Sequence, residues 1–209
     1  MPAIDYALSL GPNCRAKYHL RRRFGFGSPN CVFDWQVTPP AALQAYIEQD
    51  FNGMYERDDL YIKNGCVFNR RYNTSHQHEF PRGTTEQTLS EHYPAARARH
   101  DYLYQRTRSL LRGHARLLLA FSRPISDDTS QSLRKTLRGY SPHLRFEWLQ
   151  EPEGGADGND WTGNSAVWDA LLAPYSLGVV QKARVVLRST PGRLLRAGKT
   201  FGRQWLPRP

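Results

Sequence analysis

The chain has 209 residues, 39% of them hydrophobic, and carries a formal charge of +10. That is enough for one domain with a buried core. No run of 18 or more apolar residues occurs, which argues against a membrane-spanning helix. Of the 29 Lys and Arg residues, eight lie in residues 179–209 without an acid, leaving 21 against 19 acidic residues before that segment. The basicity belongs to the tail, so specific nucleic-acid binding by the body is not expected.

Residues 4–10 are apolar and strand-forming and end in Gly11-Pro12, which reads as a buried strand closed by a tight turn. Asn13 then caps a helix carrying Ala16, Leu20 and Phe24 inward. Arg21, Arg22 and Arg23 sit near its end and Gly25 stops it. A loop holds Phe33-Asp34-Trp35. Thr38 is expected to cap a second helix with Pro39 and Pro40 in its first turn, burying Leu43, Tyr46, Ile47 and Phe51. Residues 52–83 are irregular, with a strand expected over 66–68 and a loop over 72–83. Pro94 starts or bends a long helix ending near Arg112. Residues 115–121 read as a second buried strand, Asp127 or Asp128 as the cap of a helix with Leu133 and Leu137, and residues 144–149 as a third strand. Residues 151–160 read as a flexible loop, followed by a short helix holding Trp168, Leu171 and Leu172.

Alternating strands and helices predict a three-layer α/β/α domain with a mainly parallel sheet over residues 1–178, plus a basic C-terminal tail over 179–209. In such sheets sites gather beyond the carboxyl ends of the strands, where Cys14 falls. A cysteine at a helix start is exposed to the positive end of the helix dipole, which favours a thiolate, and neighbouring N–H groups suit an oxyanion. The same position also suits a small buried core residue. Cys31 and Cys66 read as structural. Three widely spaced cysteines without a CxxC pair predict neither a disulfide scaffold nor a metal site.

A thiol nucleophile needs a histidine base. His19 and His100 fall on helices, His92, His114 and His143 near element ends, and His76 and His78 in an aromatic-flanked loop. Asp34, between two large apolar residues, suits either a histidine-orienting carboxylate or an anchor for its own loop. Trp161 and Trp168 suit core packing or the wall of a pocket.

Taken in order, several segments resemble a bacterial family labelled papain-like cysteine peptidases. They are Ser9-Leu10-Gly11 with Asn13-Cys14, Leu20-Arg21-Arg22, Phe33-Asp34-Trp35, Ile47-Glu48 with Asp50-Phe51, His78-Glu79-Phe80, the strand Leu118-Leu119-Ala120-Phe121-Ser122-Arg123, and Trp161 to Trp168. The resemblance spans roughly residues 5–173. It departs at Glu79, where aspartate is usual, and at Ala120-Phe121-Ser122-Arg123. It implies a cysteine hydrolase with Cys14 as nucleophile, His78 as base and Asp34 as third member. Gly11, Asn13, Trp35 and Arg123 are then substrate- or oxyanion-contacting residues, and neither cofactor nor metal is implied. Acyl transfer in surface-polysaccharide modification and a non-enzymatic binding module are the competing readings. The substrate expected is a peptide, an ester or a glycan-linked group.

The N-terminus lacks a basic n-region and a long apolar h-region, so a cytoplasmic location is expected. In the tail, Leu194, Gly198, Phe201 and Trp205 share one helical face amid Arg193, Arg196, Lys199 and Arg203. That pattern suits either peripheral contact with an anionic inner-membrane face or a disordered, solvated tail.

Overall fold

The computed structural model describes residues 2–153, 161–179 and 181–183. All but the first residues of the expected basic tail, and most of the expected loop at 151–160, lie outside them. In chain order the elements are β1 (Ala3–Ile4), β2 (Tyr6–Ser9), α1 (Arg15–Phe24), α2 (Pro40–Glu48), β3 (Leu60–Lys63), β4 (Cys66–Asn69) and β5 (Thr74–Ser75). There follow α3 (Glu86–Arg112), β6 (Arg116–Phe121), α4 (Asp127–Tyr140), β7 (Arg145–Gln150), α5 (Ser165–Leu172) and β8 (Ser176–Leu177).

The fold is mixed α/β with parallel pairing at its centre. β2, β6 and β7 form a parallel sheet in that order, and β1 pairs with β8, also parallel. The single strand expected over residues 4–10 is parted at Asp5. Its carboxylate accepts the Arg116 N–H at 2.8 Å, while its own N–H donates to the Arg116 carbonyl at 2.8 Å. A carboxylate inserted into the ladder ends one pairing and starts the next.

β6 occupies the middle of its sheet, and Leu117 to Phe121 are fully buried. Side chains alternate across a strand, so this unbroken apolar run feeds two cores at once. Leu117, Leu119 and Phe121 pack with Leu43 and Tyr46 of α2 and with Leu133 and Leu137 of α4. Leu118 and Ala120 pack with Ala16 and Leu20 of α1 and with Trp168 and Leu172 of α5. Each buried leucine contributes about 2 kcal/mol of transfer free energy. A third cluster, Tyr55, Leu60, Val67, Phe80 and Leu89, lies under α3.

Several expected boundaries move for identifiable reasons. α3 begins at Glu86 because Thr85 Oγ1 accepts the Thr88 N–H at 3.2 Å, so Pro94 lies inside the helix rather than at its start. Ser126, not Asp127 or Asp128, caps α4, with its hydroxyl accepting the Thr129 N–H. The two aspartates occupy the first turn, where they face the helix dipole. Thr38 does not cap α2. Its N–H donates to the Pro12 carbonyl at 2.8 Å and its hydroxyl accepts from Gln36. The antiparallel sheet β3–β4–β5 replaces most of the irregular region. Its first hairpin turns at Asn64 and Gly65, with φ of 52° and 69°, the double left-handed pair that an Asn-Gly step supplies.

Candidate active site around Cys14

β2 ends at Ser9, and the chain turns through Leu10, Gly11 and Pro12 into the start of α1. Gly11 has φ 90°, and a Cβ there would meet Thr38 at 3.4 Å, so glycine is needed both for the conformation and for the close approach. Ser122, at the carboxyl end of β6, holds this turn. Its N–H donates to the Gly11 carbonyl at 2.8 Å, and its hydroxyl lies 2.7 Å from Asn13 Oδ1. Asn13 Oδ1 also accepts the Arg15 N–H at 3.0 Å, but from one residue ahead of the cap, so the N-cap position expected at Asn13 falls one residue later. Cys14 stands at the N-cap position itself, half-buried, with no side-chain capping bond.

The residue after Cys14 anchors the site from below. Arg15 Nη1 reaches both oxygens of Glu151, at 3.2 and 3.0 Å, in a buried ion pair just past the end of β7. Glu151 also accepts from Trp168 Nε1 at 3.1 Å, and Arg15 Nε donates to the Trp161 carbonyl at 3.0 Å. His19 pairs with the Thr162 carbonyl at 2.8 Å and stacks on Trp168 with 4° between the planes. The sequence carried no local signal for Arg15 and Glu151, which lie 136 residues apart. Trp168 is a core residue here, fully buried, whereas Trp161 is 52% exposed.

His78 lies in the turn after β5, where the Glu79 N–H donates to the His76 carbonyl at 3.1 Å. Val37 pairs with Ser75 through both backbone groups, the Thr38 N–H reaches Pro12, and the Trp35 ring stands edge-on to His78 at 6.0 Å. These contacts stitch the His78 segment to residues 35–38, and residues 35–38 to the Gly11-Pro12 turn. Among the described residues no hydrogen bond joins Cys14 to His78, and neither group shifts the titration of the other. Glu79 does not orient the His78 ring. It pairs with Arg99 of α3 at 2.8 Å and ties down the turn.

Burial raises the Cys14 thiol above its ordinary value, although its own backbone N–H and Arg15 pull the other way. Burial lowers His78 below the usual histidine range. Both shifts favour a neutral thiol and a neutral imidazole over a thiolate–imidazolium pair.

The structure corrects the reading of Asp34 as third member of a triad. Asp34 is fully buried, with Oδ2 3.0 Å from Lys17 Nζ and accepting the Cys31 N–H at 2.9 Å. Its Oδ1 accepts from Cys31 Sγ at 2.9 Å. Lys17 donates further to the Ser28 and Pro29 carbonyls. Asp34 therefore anchors its own loop to α1 and makes no hydrogen bond to His78. Lys17 precedes Leu20 by three residues and Phe24 by seven, a spacing that places a cation on the apolar side of the helix. Cys31 is 1% exposed, and burial, followed by the Asp34 charge, holds its thiol well above the ordinary value.

Among the oxyanion candidates, the Gly11 N–H is already engaged by Ser9 Oγ at 3.3 Å. Asn13 retains an amide nitrogen that no acceptor takes among the described residues, and the first turn of α1 offers further N–H groups. Trp35 is partly exposed beside His78, and Arg123 is exposed at the carboxyl end of β6. Among the described residues no group of three or more His, Cys, Asp or Glu side chains is placed to share a metal ion. A cleft of about 450 Å³ lies on the other face of the sheet, lined by Ile47, Asp50, Arg112, Thr136 and Tyr140, and takes no part in this site. No protein-family model, no curated protein and no solved structure matches the chain.

Proposed function

We propose that the chain is a cysteine-dependent hydrolase in which Cys14 attacks an activated carbonyl and His78 serves as general base and then general acid. One observation carries the reading. A half-exposed thiol stands at the N-terminus of α1, beyond the carboxyl end of a parallel strand, on a turn held by glycine and by Ser122. The neutral state of both groups selects general-base catalysis rather than a preformed ion pair. His78 accepts the thiol proton as Sγ bonds to the carbonyl carbon. The Asn13 amide and the first-turn N–H groups of α1 hold the oxyanion. As the carbon–leaving-group bond breaks, His78 returns the proton to the leaving group. Water, deprotonated by His78, then cleaves the thioester and regenerates the thiol.

The reading takes the β2–β6–β7 sheet as the middle of three layers. It places the protein in the cytoplasm, with the basic tail near the inner membrane face, acting on a peptide, an ester or a glycan-linked group. Hydrolysis of p-nitrophenyl acetate tests the chemistry. Cys14→Ala should abolish turnover, and His78→Ala should lower it by about 10²-fold or more. Turnover that survives Cys14→Ala overturns the proposal.

A further inference from the structure

In the first two turns of α1, Arg15, Ala16, Lys17, His19 and Leu20 are buried, so the exposed stripe running from Cys14 consists of Tyr18, Arg21 and Arg22. These residues follow Cys14 at helical spacings of four, seven and eight, and the stripe extends about 12 Å along the helix. Two side chains from outside the helix flank it. The Trp161 ring meets Tyr18 edge-on at 5.3 Å with 71° between planes, leaving Trp161 52% and Tyr18 38% exposed. Asp169 of α5 pairs with Arg22, and both remain open to solvent. Arg21 is exposed and has no acidic partner among the described residues.

From the thiol outward the order is thus a nucleophile, an exposed edge-to-face pair of aromatic rings, a free cation, and a solvent-facing carboxylate–guanidinium pair. We infer that this stripe is a binding site for an acidic oligosaccharide, and so names the substrate class of the proposed Cys14 chemistry, on whose assignment it rests. A sugar ring offers an apolar face for Trp161 and Tyr18. Its hydroxyls match the mixed donors and acceptors of Arg22 and Asp169, and one uronate or phosphate group matches Arg21. A lipid chain needs a continuous apolar groove, which the Arg22–Asp169 pair interrupts. A nucleic-acid strand carries a phosphate at every residue and needs a row of free cations. The stripe has one, and Asp169 repels the next phosphate.

Isothermal titration of the full chain with hexagalacturonate and with a hyaluronan hexasaccharide tests the site. Maltohexaose, single-stranded oligodeoxythymidylate and a glutamate-rich peptide serve as comparators. Saturable binding of an acidic saccharide is expected. Trp161→Ala should weaken it roughly tenfold or more, and Arg21→Ala should erase the preference for acidic over neutral sugar. Binding is read on the intact chain without any turnover in the readout, which separates this inference from the hydrolase reading. Trp161-dependent binding alongside turnover that survives Cys14→Ala leaves the stripe standing and removes the chemistry. No saturable binding to either acidic saccharide overturns the inference. So does binding unchanged by Trp161→Ala, or tighter binding of the oligonucleotide or the peptide.

Discussion

Replacing Asp34 by asparagine separates an anchoring role from a catalytic one. The amide oxygen still accepts the Cys31 N–H, but the charge facing Lys17 Nζ at 3.0 Å disappears. Both side chains are fully buried, so the stranded ammonium cannot recover its loss from water. Two charges at that distance interact by about 5 kcal/mol at an effective dielectric of 20. Removing one member of a buried pair costs about 3–5 kcal/mol. For a chain of this size that lowers the Tm by roughly 10 °C, measurable by circular dichroism. The double variant Lys17→Met with Asp34→Leu should regain most of the loss, because no charge is then left unpaired. The decisive comparison is with Cys14 alkylation by iodoacetamide, measured well below the lowered Tm, where Asp34→Asn should match the wild type. If Asp34→Asn leaves the Tm within about 2 °C of wild type yet suppresses alkylation or turnover, Asp34 acts through the site and the anchoring account is wrong.

Other consequences can be measured on the same protein. Since burial raises the Cys14 thiol above its ordinary value, the neutral thiol dominates at pH 7. Alkylation should therefore climb steadily from pH 6 to 9, and a plateau reached below pH 7 would show an ion pair instead. His76 and His100 are buried, and both are pushed down to about 3. The unfolded chain, near 6.5, binds more protons between those values, so stability is complete above about pH 6.5 and falls as pH drops towards 3. The loss is about 2 kcal/mol per histidine at pH 5. Urea titrations should show this slope, reduced in His100→Phe; equal slopes in the two proteins would refute the assignment. Gly163 has φ 68°, and a Cβ there would lie 2.8 Å from Arg15 Nε. Gly163→Ala should cost about 1–2 kcal/mol and disturb the N-terminus of α1; an unchanged urea midpoint would count against that packing.

Local chemistry made part of this molecule legible. The residues 115–121 run, buried on both faces, announced the central parallel strand, and Asn13 placed the start of α1 to within one residue of its cap, Cys14. Asn64-Gly65 carried an equally plain hairpin signal that the irregular composition around it obscured, so β3 and β5 went unread. Of the two roles open to Pro94, starting the long helix or lying within it, the structure takes the second, because Thr85 supplies the cap. At the site, the placement of Cys14 beyond a strand end followed from chain order alone. The role of Asp34 did not. A buried acid between Phe33 and Trp35 is compatible with several partners, and the partner that claims it, Lys17, sits on another element. The Arg15–Glu151 pair joins residues whose proximity exists only once the parallel sheet has formed.

That buried pair has a thermodynamic consequence for ligand capture. Arg15 grips Glu151 with its guanidinium and the Trp161 backbone with Nε, while His19 holds Thr162 one turn later. The Trp161 backbone is thus fastened to the same two turns of α1 that present Cys14 and Tyr18. Ordering a loop residue on binding costs a protein about 1–2 kcal/mol of backbone entropy. Here that ordering is complete before any ligand arrives, so the aromatic face meets its partner as a preorganised surface and more of the contact energy is left as affinity. The same linkage makes the spacing between ring and thiol a property of the folded core rather than of any ligand; for the proposed saccharide it would act as a ruler for where along the chain the reacting bond lies.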